Sequence, residues 1–259
     1  MKKTALLLVV LSSLMTVSAM AEDKPASIKL CFEGEDIYPW VMKSKKGLNI
    51  IMLEMVAKKT NLKLDMSPLP WKRCLNDVQS GGMDGAFAAS YKPDRAEFAV
   101  YPSKDGKPDP AKRMMLDSYS LYRLKGSNVN WDGSKFQNVT SAIGTQPGYS
   151  VIDLLKQNGV QVDDGAKTAD DTLRKLISNR VAGAALMTLE GDNSIATNSE
   201  FTGKVERVPT PLVEKPYFLI FGKGYQAKYP GAVTQLWDAI ASVRESPEYK
   251  QAEAAFFKR

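Results

Sequence analysis

The chain contains no histidine among its 259 residues. Serine–histidine and cysteine–histidine nucleophilic pairs are therefore excluded, along with most zinc sites. Only two cysteines are present, Cys31 and Cys74, and they do not form a C-x-x-C motif. In an exported protein an isolated pair reads as a structural disulfide rather than a redox couple. Asp105, Asp109, Asp163 and Asp164 sit in Gly/Pro-rich stretches without calcium-loop spacing, and read as turn formers. Internal repeats and low-complexity tracts are absent, and beyond the N-terminus no run is apolar enough to span a bilayer. No cofactor, no metal and no catalytic residue is expected.

What is present begins with a leader. Lys2 and Lys3 precede a short apolar stretch, Ala5–Leu11 with Leu14–Val17, and Ala19-Met20-Ala21 offers a small-x-small cleavage pattern. Residues 1–21 are thus expected to be a cleaved signal peptide that sends the remainder to a bacterial periplasm. No cysteine follows the cut, which argues against a lipid anchor. The remainder is long enough for two lobes with their own cores. Two of the 35 basic residues leave with the leader, so the net charge falls from +6 to about +4. Lys43, Lys45, Lys46, Lys58 and Lys59 form a basic stretch, but acids are interleaved throughout. This is a solvated rim rather than a polyanion groove, and no nucleic-acid partner is expected.

Periodicity gives the elements. Ile28–Phe32 reads as a strand, and Asn49 as the cap of a helix carrying Ile50, Leu53, Val56 and Ala57. Leu62–Met66 reads as a strand, Trp71–Gln79 as a helix entered through Pro70, and Met83–Ala89 as a further strand. That β-α-β-α-β run implies parallel strands covered by helices. Tyr101–Lys112 reads as a surface loop and Met114–Arg123 as an extended segment. A second run follows: strand Thr140–Ile143, helix Ser150–Gln157, strand Gly159–Val162, helix Asp170–Asn179 and strand Gly183–Leu186. Val205–Val208 and Pro216–Phe221 read as strands, and two helices close the chain, with Trp237 at core spacing. The expected fold is α/β: two lobes joined by two extended crossings, a clamshell that holds a small ligand between them. Lobe 1 is expected over 22–118 and 216–259, and lobe 2 over 119–215.

Several stretches resemble a known family. Gly82-Met83-Asp84-Gly85-Ala86, Ser90-Tyr91-Lys92-Pro93-Asp94-Arg95 and Phe98-Ala99-Val100-Tyr101-Pro102 are similar to consecutive motifs of family 3 extracellular solute-binding proteins. Ile143 to Ser150 resembles their second-lobe glycine segment, and Tyr38-Pro39-Trp40 with Gly47-Leu48-Asn49 resembles their N-terminal motifs. The resemblance runs in order over essentially the whole chain after the leader. It implies a type II periplasmic binding protein that carries amino acids to an ABC importer, works as a monomer and uses no cofactor.

It also implies ligand contacts. Arg95 falls on the arginine that binds the ligand carboxylate, and a guanidinium offers that group a planar two-donor fork. A surface ion pair with Asp94 or Glu97 is the plainer alternative. Ser90 falls on a carboxylate-binding hydroxyl, and Ala88 on a backbone carbonyl that meets the ligand amine. Gly148, Tyr149 and Ser150 open a second-lobe helix whose N-terminal N–H groups favour an anion. Ser150 also reads as a simple N-cap. Trp40, Trp71 and Tyr91 are candidate aromatic walls, with ordinary packing the alternative for Trp71.

Two positions depart from the family, Ala182 and Met187, each standing where its members have an aspartate. Where its members place an aspartate for the ligand ammonium, this chain has Met187. A thioether cannot balance a buried ammonium. Thr188 or Glu190 could stand in, or the ligand could be a carboxylate lacking that amine. The leading expectation is a periplasmic solute-binding protein for a small, carboxylate-bearing, amino-acid-like ligand. Presentation of that ligand to a membrane sensor is the alternative, and a dehydratase-type enzyme using Glu190 or Asp171 is a further one.

Overall fold

The computed structural model describes residues 24–258, so the expected leader, residues 1–21, lies outside the described residues. The chain opens with β1 (Ile28–Glu33), α1 (Leu48–Thr60), β2 (Leu64–Leu69), α2 (Trp71–Ser80), β3 (Gly85–Ser90), α3 (Pro93–Ala96) and β4 (Ala99–Val100). A hairpin of β5 (Ser103–Lys104) and β6 (Lys107–Pro108) interrupts the expected 101–112 loop. Strand β7 (Met115–Leu124) leaves this half, and a second small hairpin follows, β8 (Asn130–Trp131) and β9 (Phe136–Gln137). The second half contains β10 (Ile143–Gly144), α4 (Val151–Gln157), β11 (Val162–Asp163), α5 (Ala169–Ile177), β12 (Gly183–Met187), α6 (Thr188–Thr197) and β13 (Val205–Arg207). The chain returns through β14 (Val213–Gly222) and ends in α7 (Lys223–Lys228), α8 (Pro230–Arg244) and α9 (Pro247–Phe257).

Among the described residues, ten strands form one curled sheet. Its main path is β11-β10-β12-β7-β14-β3-β1-β2, with β13 on β7 and β4 on β14. β1 lies parallel to β2 and β3, and β10 parallel to β11 and β12, as the two β-α-β runs require. β7 and β14 pair antiparallel between these parallel sections and are the two crossings. Both are ten residues long, so β14 starts three residues before the expected Pro216.

Leu30, Met52, Leu53, Val56, Phe87, Phe218, Ile220, Leu236 and Ile240 are completely buried and form the core of the first half. A separate cluster of Tyr122, Leu173, Leu176, Leu186 and Phe201 supports the second. Cys31 on β1 and Cys74 on α2 are joined in a disulfide, so the staple lies wholly within the first half. Trp237 is half-buried, and its indole N–H donates to the Leu219 carbonyl at 2.8 Å.

Asn49 is not a helix cap. The N-cap is Gly47, and Asn49 is a fully buried residue of the first turn of α1. The amides of Leu48 and Asn49 are satisfied instead by the carbonyls of Pro39 and Trp40, each at 3.0 Å. That docking needs glycine at 47, because a Cβ there would lie 2.3 Å from the Trp40 carbonyl oxygen.

Candidate functional site

The cavity lies where the C-terminal ends of the first-half strands meet the second half, the usual ligand position in an open α/β sheet. Its volume, counting the part open to solvent, is about 460 Å³. Phe32 and Glu33 reach it from the end of β1, and Ile37, Trp40 and Val41 from the following loop. Phe87, Ala88 and Ser90 come from β3. Three such residues on one short strand break the ordinary alternation, and Ala88 shows why. Its φ is 59°, in the left-handed region, where the β3–β14 register also shifts.

Arg95 follows on α3 and is almost entirely buried. Its Nη1 donates to the Ser90 carbonyl at 2.8 Å, and its Nη2 to the Gly148 carbonyl at 2.9 Å. The guanidinium carbon lies 5.4 Å from the centre of the Trp71 ring. Among the described residues, no carboxylate pairs with Arg95. Asp94, the plainer alternative, pairs with Lys92 at 3.3 Å. A buried guanidinium keeps its charge, and such a charge is stable only with strong acceptors.

The second half contributes less. Tyr149, Ser150 and Met187 line the cavity. Ser150 makes no side-chain cap; the Ser90 hydroxyl donates to its Oγ at 2.8 Å, joining the two halves. Gly148 has a φ of 78°, and a Cβ there would meet Lys72 and Trp71 of the first half at 3.1 and 3.4 Å. A side chain at this position would therefore wedge against the opposite wall. The crossing strands supply Met115, Tyr119 and Tyr217.

The cavity thus gathers seven of the expected residues: Trp40, Trp71, Ala88, Ser90, Arg95, Tyr149 and Ser150. Gly148 contributes its carbonyl to Arg95. Two expected residues lie elsewhere. Tyr91, beyond the end of β3, is exposed and packs edge-on against Tyr101. Glu190 is buried in the first turn of α6, where both carboxylate oxygens accept from Gln146 Nε2 at 3.2 and 3.1 Å. The helix turns it away from Met187 toward a separate cleft beside Thr168 and Asp170.

Burial sets the electrostatics. It pushes the Glu190 carboxyl up to about 8, only partly offset by the Gln146 hydrogen bond. It pushes Asp117 up to about 6, although the Trp40 indole donates to that carboxylate at 2.8 Å. Desolvation also raises Glu33, opposed by backbone N–H groups of Glu35, Trp71 and Gly34. The Tyr119 hydroxyl rises to about 12 by burial.

Sequence reasoning missed Glu33, Asn49, Met115, Tyr119 and Tyr217. Glu33 carried a usable signal, an acid at the C-terminal end of the first strand. The other four reach the cavity only through α1 docking and the crossing strands.

No protein-family model matches the chain, and neither does any curated protein. Solved structures do match. A histidine kinase sensor domain with similarity to periplasmic binding proteins superposes with TM-score 0.73 at 14% identity, covering 91% of this chain and 98% of that one. The GluR0 ligand-binding core from Nostoc punctiforme, solved with L-glutamate, gives 0.71 at 14% identity, covering 90% and 100%. The arginine-, lysine- and histidine-binding protein ArtJ from Geobacillus stearothermophilus gives 0.70 at 16%, covering 90% and 96%. These similarities establish the fold, and the type II clamshell implied by the sequence motifs is borne out.

Proposed function

We propose that this is a periplasmic solute-binding protein that closes on a small, carboxylate-bearing, amino-acid-like ligand and delivers it to an ABC importer. The observation that carries this reading is Arg95. A buried cation without a counter-carboxylate among the described residues faces an aromatic cavity, next to the Ser90 and Ser150 hydroxyls. A ligand carboxylate supplies the missing charge and accepts from the guanidinium. Similarity to amino-acid-binding structures supports the same reading, and the sensor-domain match keeps a membrane sensor as the alternative partner.

Met187 lines the cavity where an ammonium-pairing acid was missed in the sequence. Glu33 is the acid that lines it, and we assign to Glu33 the pairing with a cationic group of the ligand. The two acids nominated for catalysis are otherwise engaged, Glu190 with Gln146 and Asp171 with Thr168. Their placement favours binding over turnover.

The test is thermal unfolding of ligand-stripped protein against amino acids, amines and organic acids. A ligand at a thousand times its Kd stabilises the fold by about 4 kcal/mol, which raises the midpoint by about 10 °C. The expected result is such a rise with a carboxylate-bearing solute, abolished by Arg95→Ala. Silence across the carboxylates, or a rise indifferent to Arg95→Ala, overturns the proposal.

A further inference from the structure

The cavity contains a second polar station, distant from Arg95. Asn49 is fully buried and lines the cavity. Its Nδ2 donates to the thioether of Met115 at 3.4 Å, while its Oδ1 has no partner among the described residues. Sulfur only accepts, so the amide orientation follows from chemistry: the donor faces Met115 and the acceptor is left free. The Tyr217 hydroxyl, also buried and lining the cavity, faces the Tyr119 hydroxyl, which in turn faces Ser150, so it belongs to the Arg95 end. Buried polar atoms are nearly always hydrogen-bonded, so the unpaired Asn49 oxygen in this cavity calls for an explanation.

Strand register supplies a ruler. Ser90 on β3 pairs directly with Tyr217 on β14, and Tyr217 pairs with Met115 on β7. Directly paired residues share a sheet face, and each step across the sheet is close to 5 Å. From the acid end at Ser90, Tyr217 is one step away and Met115, holding Asn49, is two, roughly 10 Å. The intervening walls are apolar: Phe87, Trp40, Tyr119 and Met115 itself.

We infer that Asn49 is a specificity-determining residue that accepts a hydrogen bond from an N–H or O–H group at the far end of the ligand. The ligand class is a carboxylic acid with an aromatic-sized apolar body and a terminal donor. This rests on the proposed binding of a carboxylate at Arg95 and adds what the other end must carry. A site built around a buried acceptor rejects an analogue lacking the donor, because the acceptor then stays unpaired.

Three amino acids of one shape test it: phenylalanine, tyrosine and 4-aminophenylalanine, titrated calorimetrically into ligand-stripped protein. The two donor-bearing acids are expected to bind at least about tenfold more tightly than the parent. Asn49→Leu is expected to bring all three to parity. In the absence of ligand, Asn49→Leu is expected to raise the melting midpoint by about 2–4 °C, since it replaces an unpaired buried amide with an apolar group of similar shape. A purely structural Asn49 would instead lower it. Equal binding of the three acids by the unmodified protein, or a preference that survives Asn49→Leu, overturns the inference and leaves the Arg95 reading standing. Failure of all three while another carboxylate binds overturns the ligand class stated here. Failure of every carboxylate overturns both readings.

Discussion

Each half of this molecule buries an ionisable side chain that has no partner of opposite charge among the described residues, and the two are handled in opposite ways. In the first half Arg95 keeps its charge and spends its donors on two backbone carbonyls, Ser90 and Gly148. In the second half Glu190 meets the neutral amide of Gln146 and the backbone N–H of Ala169, and burial moves it toward its protonated form. A carboxyl can escape a buried charge by taking a proton; a guanidinium has no such exit and must be met by an anion. On the proposed reading the first half is therefore the half that selects a ligand. The second half brings few groups of its own to the cavity: Tyr149, Ser150, Met187 and the Gly148 carbonyl.

The sharpest way to break this contrast is pH. Glu190 has its folded pKa raised, to about 8 against an ordinary 4.5. The folded state then holds a proton that the unfolded state has released, so stability falls as pH rises between those two values. Glu190→Gln removes that slope, and its advantage over the unmodified protein is expected to grow by on the order of 4 kcal/mol from pH 5 to pH 9. Denaturant titrations at several pH values measure it. Parallel pH profiles for the two proteins would show Glu190 ionised in the fold, and the contrast with Arg95 would collapse.

The next effect concerns the staple. The disulfide joins β1 to α2 in the first half and closes a loop over a separation of 43 residues. Replacing both cysteines with alanine is expected to cost about 3 kcal/mol, or about 10 °C in midpoint. Hydrogen exchange sharpens the comparison. Amides of β1, β2 and β3 should lose more protection than those of β10, β11 and β12, each half having its own apolar cluster. Equal losses on both sides would show that the halves open as one unit.

What could be read in the sequence divides along the same line. The parallel runs of both halves follow from local periodicity, and Arg95 and Ser90 sit in a contiguous stretch that resembles a solute-binding motif. Helix α4 begins within a residue of its expected start, at Val151. Asn49 misled because its type and position suit a cap, whereas the Gly47 docking on Trp40 draws the helix start two residues back and buries the amide. Tyr119, Met115 and Tyr217 reach the cavity through pairing of β7 with β14, segments far apart in the chain, and no local pattern encodes that register. Tyr91 was expected beside Ser90 as an aromatic wall, yet the chain leaves the sheet after Ser90 and carries it outward.

The smallest effects lie at the seam. Lys72 of the first half pairs with Asp164 of the second at 3.0 Å, and Lys92 with Asp153 at 3.1 Å. Lys72 is well exposed, with 60% of its side chain accessible, whereas Lys92 shows 15% and also holds Asp94. Solvent and salt screen the first pair more than the second. Neither lysine lines the cavity, and on the proposed reading both act on how readily the two halves close. Lys72→Ala is expected to weaken ligand binding by about twofold at low salt and not measurably at 0.5 M, with Lys92→Ala costing up to about fivefold and retaining part of that in salt. Titrations at two ionic strengths separate them. If Lys72→Ala matched Lys92→Ala in size and salt response, burial would not rank these contacts. The buried Ser90–Ser150 bond and the part-buried Arg95–Gly148 bond would then be the contacts to test next.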